Sequence, residues 1–317
     1  MINIDHKFNT LRKAIAEGRI ETSPQTIEMV KAGTVPKGNV LEIARAGAIA
    51  AAKKTPETIV LCHPIPIDYC NISYEIGDNY ILVRAELHAI AKTGVEMEAM
   101  NAAYGALINL YDTLKPVDEN LTIKELKLSS KKGGKTDFKD NYERKLKAAI
   151  IVISDSTFAG TRKDKSGLVI KEFLEHEALV DIQAYEIIPD DIEQIQSKVL
   201  ELEARGYDLI ISTGGTGLGP KDFTPEAIKP LLDKEIPGIT EAIRRHGKDR
   251  TPYAMLSREI AGLKNQSIII TLPGSSRGAK ESMQAIFPGL THAFPMIWGG
   301  GHDHHGKAKL EKELSKV

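Results

Sequence analysis

Cysteine is nearly absent from this chain: two residues of 317, with one tryptophan and aromatics at 5%. No CxxC pair exists, so a structural zinc site, which needs about four ligands and usually closely spaced cysteines, has no frame here. Both cysteines lie in LCHPIPIDYC, as Cys62 and Cys70. Pro64 and Pro66 keep the backbone between them extended, a span of roughly 26 Å against a disulfide Cα reach of roughly 4.4–6.8 Å. Long apolar runs are missing too, none approaching the roughly 20 residues that cross a bilayer. The opening MINIDHKFNTLRKA lacks the apolar core of a secretion signal. These absences predict a cytoplasmic protein in a reducing compartment with no membrane partner. Charge of one sign is also lacking: 42 Lys and Arg face 43 Asp and Glu, so no global field favours nucleic acid. What is present is ordinary for a globular protein, 42% hydrophobic and 27% charged, with length enough for two cores.

The two halves follow different patterns. Residues 129 to 145, SSKKGGKTDFKDNYERK, are rich in charge and glycine, and the expected boundary lies there, giving domains 1–140 and 141–317. Beyond it, the apolar strands AAIIVIS, VDIQAYEII, DLIIST and SIIITLP alternate with the helical segments SGLVIKEFLEHEA and DIEQIQSKVLELEARG. That alternation predicts a parallel sheet covered on both faces, an α/β domain. The N-terminal half instead opens a helix on the capping-box segment Asn39 to Glu42. It then sets YCNISYEI and NYILVRAELHA around GDN as a hairpin, with TIKELKL as a closing strand, an antiparallel α+β pattern.

The helix GVEMEAMNAAYGALINLYDTLK carries two stripes at 100° per residue. Met100, Ala103, Leu107, Leu110, Tyr111 and Leu114 form the expected core face. Glu98, Ala102, Gly105, Asn109 and Asp112 lie opposite, with Lys115 at the edge. The plain reading of the second stripe is a solvated face. Ala102 and Gly105 argue for a close approach by a backbone, subunit or ligand. Lys37, Lys92, Lys115, Lys131, Lys132 and Lys135 gather around the helix in sequence, and lysine is a compact cation suited to phosphate. GGKT at 133 to 136 is not a P-loop, because that motif needs glycine where Ser129 stands.

Together VPKGNVLEIARAGAIAAAKKT, LCHPIPI, KTGVEMEAM, LYDTLK and KKGGKTDF resemble the cyclic pyranopterin monophosphate synthase (MoaC) family, in order across roughly residues 1 to 138. The resemblance implies a ferredoxin-like α+β fold and a hexamer built of dimers around a threefold axis. It also implies conversion of cyclic 7,8-dihydro-GTP to cyclic pyranopterin monophosphate with loss of pyrophosphate. It assigns catalysis to Lys37, Asp112 and Lys115, and substrate binding to Cys62, His63, Glu96, Met97, Glu98, Lys131 and Lys135. The small faces at residues 44 to 51 and 102 to 105 are the expected subunit contacts.

In the C-terminal half, ISTGGTGLGPKDFTPEAI runs from an apolar strand into glycines and restarts as a helix. Such a loop at the carboxyl end of a parallel strand is where open α/β sheets bind ligands, and its free amides favour an anion. With VISDSTFAG, KDKSG, IIPDD, MLSR and TLPGS it resembles the molybdopterin adenylyltransferase (MogA/MoaB) family over roughly residues 146 to 300. That resemblance implies a three-layer α/β/α, Rossmann-like molybdopterin-binding domain, usually trimeric, that transfers AMP from Mg-ATP to molybdopterin. Asp190 and Asp222 are then the catalytic carboxylates and the magnesium ligands, a role that suits Mg²⁺. Ser154, Gly214, Gly215, Thr216, Gly217 and Ser275 are the substrate-binding candidates. GGGHDHHG near the end reads as a tail with adventitious metal affinity.

The sequence thus predicts two enzymes of molybdenum cofactor biosynthesis on one chain. The implied partners are small molecules, copies of the same chain and other enzymes of that pathway. Two alternatives stand for the C-terminal half: a catalytically silent pterin-binding or assembly module, and a molybdenum insertase-like domain.

Overall fold

A computed structural model describes residues 1–299. His302, Asp303, His304 and His305 of the tail lie outside the described residues. The chain divides into two compact units, Met1–Phe138 and Lys139–Val317.

The first unit runs β1 (Thr10–Glu21), α1 (Pro24–Ala32), α2 (Val40–Lys53), the single turn α3 (Thr55–Thr58), β2 (Tyr69–Ile76), β3 (Tyr80–Ala91), α4 (Glu96–Leu114) and β4 (Thr122–Lys132). Its sheet has the order β2-β3-β1-β4, and every neighbouring pair is antiparallel. Asn39 caps α2 by accepting a hydrogen bond from the Glu42 amide at 3.2 Å. Strand β1 departs from the sequence reading, which held no element there. Its inward residues are Ala14, Ala16, Gly18 and Ile20. Small side chains give a weak alternating signal, so the strand is hard to see without its partners. Strand β4 continues through SSKK to Lys132, into a stretch expected to be unstructured, because β1 pairs with it along Lys13 to Lys132.

The two stripes of α4 need correction. Tyr111, expected in the core, is 41% exposed, while Glu98, Ala102 and Gly105 of the supposed outer stripe are buried. The close approach that Ala102 and Gly105 announced comes from α2 of the same chain. A Cβ on Gly105 would stand 2.6 Å from Ala51 Cβ and 3.1 Å from the Gly47 carbonyl oxygen. These small faces therefore pack on each other within the unit, contrary to their expected use between subunits. Gly105→Val should force the two helices apart and lower stability by about 1–3 kcal/mol, read as a lower urea midpoint at unchanged slope.

The second unit runs β5 (Leu146–Ile153), α5 (Asp155–Phe158), α6 (Ser166–Glu175), β6 (Val180–Ile188), α7 (Ile192–Ala204), β7 (Leu209–Thr213), α8 (Thr224–Ile228), β8 (Lys234–Glu235), α9 (Pro237–Lys248), β9 (Ala261–Lys264), β10 (Ser267–Leu272), α10 (Ser276–Ile286) and α11 (Ala293–Ile297). Strand order is β6-β5-β7-β10-β9-β8. The first four strands are parallel, and β9 and β8 close the edge antiparallel. The sheet is therefore mixed where a parallel one was expected; strands of two and four residues are too short to carry a periodic signal.

Alternate residues of β5 explain the layering. Ala148 and Ile150 join Ile170 of α6, Ile243 of α9 and Met283 of α10 in one core. Ala149, Ile151 and Ile153 join Ile195 and Val199 of α7 and Ile228 of α8 in another. Helices thus cover both faces, giving three layers. Among the described residues, no helix is long and apolar enough to cross a membrane.

Candidate active sites

In the C-terminal unit the chain passes from β5 to β6 on one side and then to β7 on the other, so the strand order reverses at β5. Loops leaving β5 and β7 diverge there, opening a crevice beyond the carboxyl ends of the strands. A cavity of about 400 Å³ occupies this place. Ser154 follows β5, Asp190 follows β6, Gly214 and Gly215 follow β7, Ser275 follows β10, and Asp222 reaches in from the glycine-rich loop. Six of the candidate residues, distant in sequence, line this one space. Thr216 and Gly217 do not line it. Their carbonyls are taken by Arg258, whose backbone amide reaches Thr216 at 3.1 Å and whose Nε reaches Gly217 at 2.8 Å. Arg258 also donates to the Asp222 carbonyl at 2.6 Å and pairs with Glu226, so one side chain staples the loop. MLSR contained this residue, but nothing in the motif said what it holds.

The anion-favouring helix ends also differ from expectation. Helix α8, which restarts the chain after the glycines, is a single turn, and its first amide donates to the Gly215 carbonyl at 3.1 Å. Ser275 and Ser276 at the start of α10, and Lys165 and Ser166 at the start of α6, line the cavity instead. Arg162 and Lys163 complete a basic rim that the candidate residues had not included. Gly215 lies at φ +60, and a Cβ there would stand 2.2 Å from Thr224 Oγ1 and 2.6 Å from Asp190 Oδ1. Only glycine lets the backbone come so near that carboxylate.

Asp190 Oδ1 is buried and accepts no hydrogen bond among the described residues. Burial raises the Asp190 carboxyl above its ordinary value, and the neighbouring charges of Asp155 and Asp222 add to this. Asp155 itself is held low by Lys221, whose Nζ stands at 3.0 Å. Asp222 Oδ2 accepts from the Gly219 amide at 2.6 Å, which aims the carboxylate. Buried carboxylate oxygens without donors and under mutual repulsion are what a hard cation relieves. Among the described residues no cluster of three or more His, Cys, Asp or Glu forms a closed metal cage. A pair of carboxylates sharing a cation with phosphate oxygens fits magnesium better than such a cage does.

The N-terminal unit divides its candidates between the two ends of α4. At one end Asp112 accepts from Lys37 Nζ at 2.8 Å and pairs with Lys115 at 2.7 Å. Hydrogen bonds from Lys115 and Lys37 hold the Asp112 carboxyl down at about 2, and the same contact raises Lys115. At the other end Lys131 faces Glu96 at 3.5 Å. A small cavity there is lined by both, with Arg12, Gly134 and Asp137. Arg12 is a residue the sequence reading missed, since it sits on the strand that reading did not find. Glu98 is buried at 2%, and its carboxyl is raised by burial and by Glu96. Burial raises the Cys62 thiol, and the charge of Glu98 adds to this. Both cysteines are free. Met97, in the first turn of α4, is 40% exposed. His63 is partly exposed on an irregular segment before β2, not on a strand. Lys135 sits on a short 3₁₀ turn after β4. Glu96 and Asp112 stand roughly 24 Å apart along the helix at about 1.5 Å per residue. One chain therefore does not bring all these residues to a single point.

Comparison with known proteins accounts for both units. Residues 1–134 match the MoaC family, and residues 149–292 match the family described as "Probable molybdopterin binding domain". A molybdenum cofactor biosynthesis bifunctional protein of Chlorobaculum tepidum is 38% identical over 302 residues, covering 95% of this chain and 96% of that one. Its namesake in Synechococcus elongatus is 36% identical over 318 residues, covering 95% and 98%. A cyclic pyranopterin monophosphate synthase of Aquifex aeolicus is 42% identical over 137 residues, 43% of this chain and 54% of its own length. Likeness to the bifunctional proteins spans both units and nearly the whole of each relative, and the chain belongs to this bifunctional family of molybdenum cofactor biosynthesis.

Proposed function

We propose that the N-terminal unit converts cyclic 7,8-dihydro-GTP to cyclic pyranopterin monophosphate, releasing pyrophosphate. Asp112 and Lys115 move protons, and Lys37 holds Asp112 in place. Lys131, with Arg12 beside it, binds the triphosphate; the βαββαβ strand order supports the ferredoxin-like description. Proton transfer needs groups within about 3 Å of the reacting atoms, and the two clusters are far beyond that in one chain. This supports an assembly in which one copy lends its Glu96–Lys131 end to the Asp112 end of another. A closed homo-oligomer, with a hexamer as the expected form, supplies such contacts symmetrically. Light scattering should give a mass near six chains, and a stable monomer at micromolar concentration would contradict it.

In the C-terminal unit the reading is adenylyl transfer. The terminal phosphate of molybdopterin attacks the α-phosphorus of ATP, a new phosphoanhydride forms, and the bond to the departing pyrophosphate breaks. The observation that carries this reading is Asp190: a buried, donor-free carboxylate oxygen that lines, together with Asp222, an anion-favouring cavity. Asp190 and Asp222 would hold Mg²⁺, which when bound neutralises phosphate charge. The Gly215 amide and the ends of α6 and α10 orient phosphates, and Arg162 and Lys163 balance their charge.

The test is to assay the full chain with each substrate separately. Cyclic dihydro-GTP should yield pyrophosphate and cyclic pyranopterin monophosphate. Molybdopterin with ATP and Mg²⁺ should yield pyrophosphate and adenylated molybdopterin. A chain that binds molybdopterin yet forms no adenylate under any condition would be a silent binding module in its second half.

A further inference from the structure

Beside the anion cavity lies a second cleft of about 350 Å³, walled in part by Ile243, Tyr253, Ala254 and Pro273. The two spaces share Ser275, so a single extended ligand can enter both. In the lining of this second cleft stands Glu259, whose side chain is only 2% exposed. Its Oε2 is buried and accepts no hydrogen bond among the described residues. The Arg244 guanidinium stands 3.5 Å away, anchored in turn by a 3.0 Å bond from its Nη2 to Thr240 Oγ1. At that distance Arg244 balances the charge of Glu259 without saturating its lone pairs.

A buried carboxylate short of donors is costly, and the deficit disappears when a ligand brings N–H groups to it. A carboxylate is best matched by two parallel N–H donors, as arginine matches it. The 2-amino-4-oxopyrimidine edge shows two such donors, the ring N3–H and the 2-amino group, side by side. Pterins and guanine carry that edge. Adenine does not: its ring N1 is an acceptor beside the 6-amino group, so the base of ATP leaves Glu259 unsatisfied. Of the two sources, the pterin fits the shared rim. Its ring would lie in the apolar cleft while its phosphate arm crossed Ser275 into the anion cavity.

We propose that Glu259 reads the amino-oxopyrimidine edge of the pterin substrate and is a specificity-determining residue of the C-terminal site. The proposal rests on the adenylyl-transfer reading and deepens it by naming what selects the substrate. Arg244 is its positioning residue.

The experiment measures binding of 6-hydroxymethylpterin, its 2-oxo analogue 6-hydroxymethyllumazine, GMP and ATP to the full chain and to Glu259→Gln. Lumazine replaces the amino donor by a carbonyl, which meets the carboxylate acceptor to acceptor. The wild type should prefer pterin over lumazine by about 10- to 100-fold, the range for hydrogen bonds to a charged group. Glu259→Gln should lose most of that preference while binding ATP as before. A merely structural Glu259 would lower thermal stability without changing the pterin-to-lumazine ratio. Equal binding of pterin and lumazine by the wild type overturns the proposal, and this arm needs no variant to fold. GMP binding as tight as pterin overturns the choice of pterin over guanine. A wild type that binds neither pterin nor molybdopterin overturns the adenylyl-transfer reading itself, an outcome distinct from indiscriminate binding.

Discussion

Asp190→Asn is expected to lower formation of adenylated molybdopterin by about 10²–10³-fold, the range for removing one fixed group that stabilises transition-state charge. The loss should fall on turnover, with pterin binding nearly unchanged, because the cleft proposed for the pterin ring is separate from the Asp190 cavity and shares only Ser275 with it. Stability should move the other way. Burial and the charges of Asp155 and Asp222 raise the Asp190 carboxyl, so its ionised form is disfavoured by folding. At pH below the ordinary carboxylate value near 3.8 both proteins are neutral at this position and melt alike. As pH rises through the raised folded value the wild type gives up stability that the asparagine variant keeps. The variant should therefore melt at a higher temperature than the wild type at neutral pH without magnesium, the usual exchange between stability and activity. Added Mg²⁺ should raise the melting temperature of the wild type and leave the variant where it is. Full turnover by Asp190→Asn would remove the carboxylate from the reaction. Identical melting of both proteins with and without Mg²⁺ would remove the cation from this site.

Asp112→Asn should lower formation of cyclic pyranopterin monophosphate by about 10²–10⁴-fold while leaving the fold intact. Its side chain is 55% exposed and its partners are Lys37 and Lys115, so no core contact is lost. Lys115→Ala should lose a similar factor, and the double variant little more, because the two residues act as one unit. The pH behaviour follows from the carboxyl at about 2. A lowered carboxyl contributes stability above its unfolded value, and that contribution vanishes as pH falls through the folded value. The stability difference between wild type and Asp112→Asn should stay constant above about pH 4 and close as the pH approaches 2. Likewise, an acid limb of the rate profile above about pH 4 belongs to another group, with buried Glu98, whose carboxyl is raised, the candidate. Near-normal turnover by Asp112→Asn would take the proton-transfer role away from it.

The layered half was the easier half to read. Strands such as Leu146–Ile153 are buried on both faces, so the sequence shows them as unbroken apolar runs, and the helices between them have one apolar stripe each. In the N-terminal half the hairpin was legible through its turn, but β1 was not. Its sequence TLRKAIAEGRIE is built of residues that also favour helix, and its inward side is small because α4 packs close to it. Only the pairing of Thr10–Glu21 with β3 and β4 makes it a strand. The same omission hid Arg12, which joins Lys131 and Glu96 at one cavity.

By itself the sequence determined the chemistry: which carboxylates, lysines and glycine-rich turns exist, and that two different domains carry them. These are local properties, written in residue type and spacing, and the motifs they form resemble two families of molybdenum cofactor biosynthesis. Tertiary structure decided the positions. The strand-order reversal at β5 gathers Ser154, Asp190, Gly214, Gly215, Asp222 and Ser275, because parallel strands deliver their loops to one edge. The rigid length of α4 separates Lys37, Asp112 and Lys115 from Glu96 and Lys131, and the packing of α9 against β9 brings Arg244 to the buried Glu259. Such positions depend on contacts between residues far apart in the chain, and no local pattern encodes them.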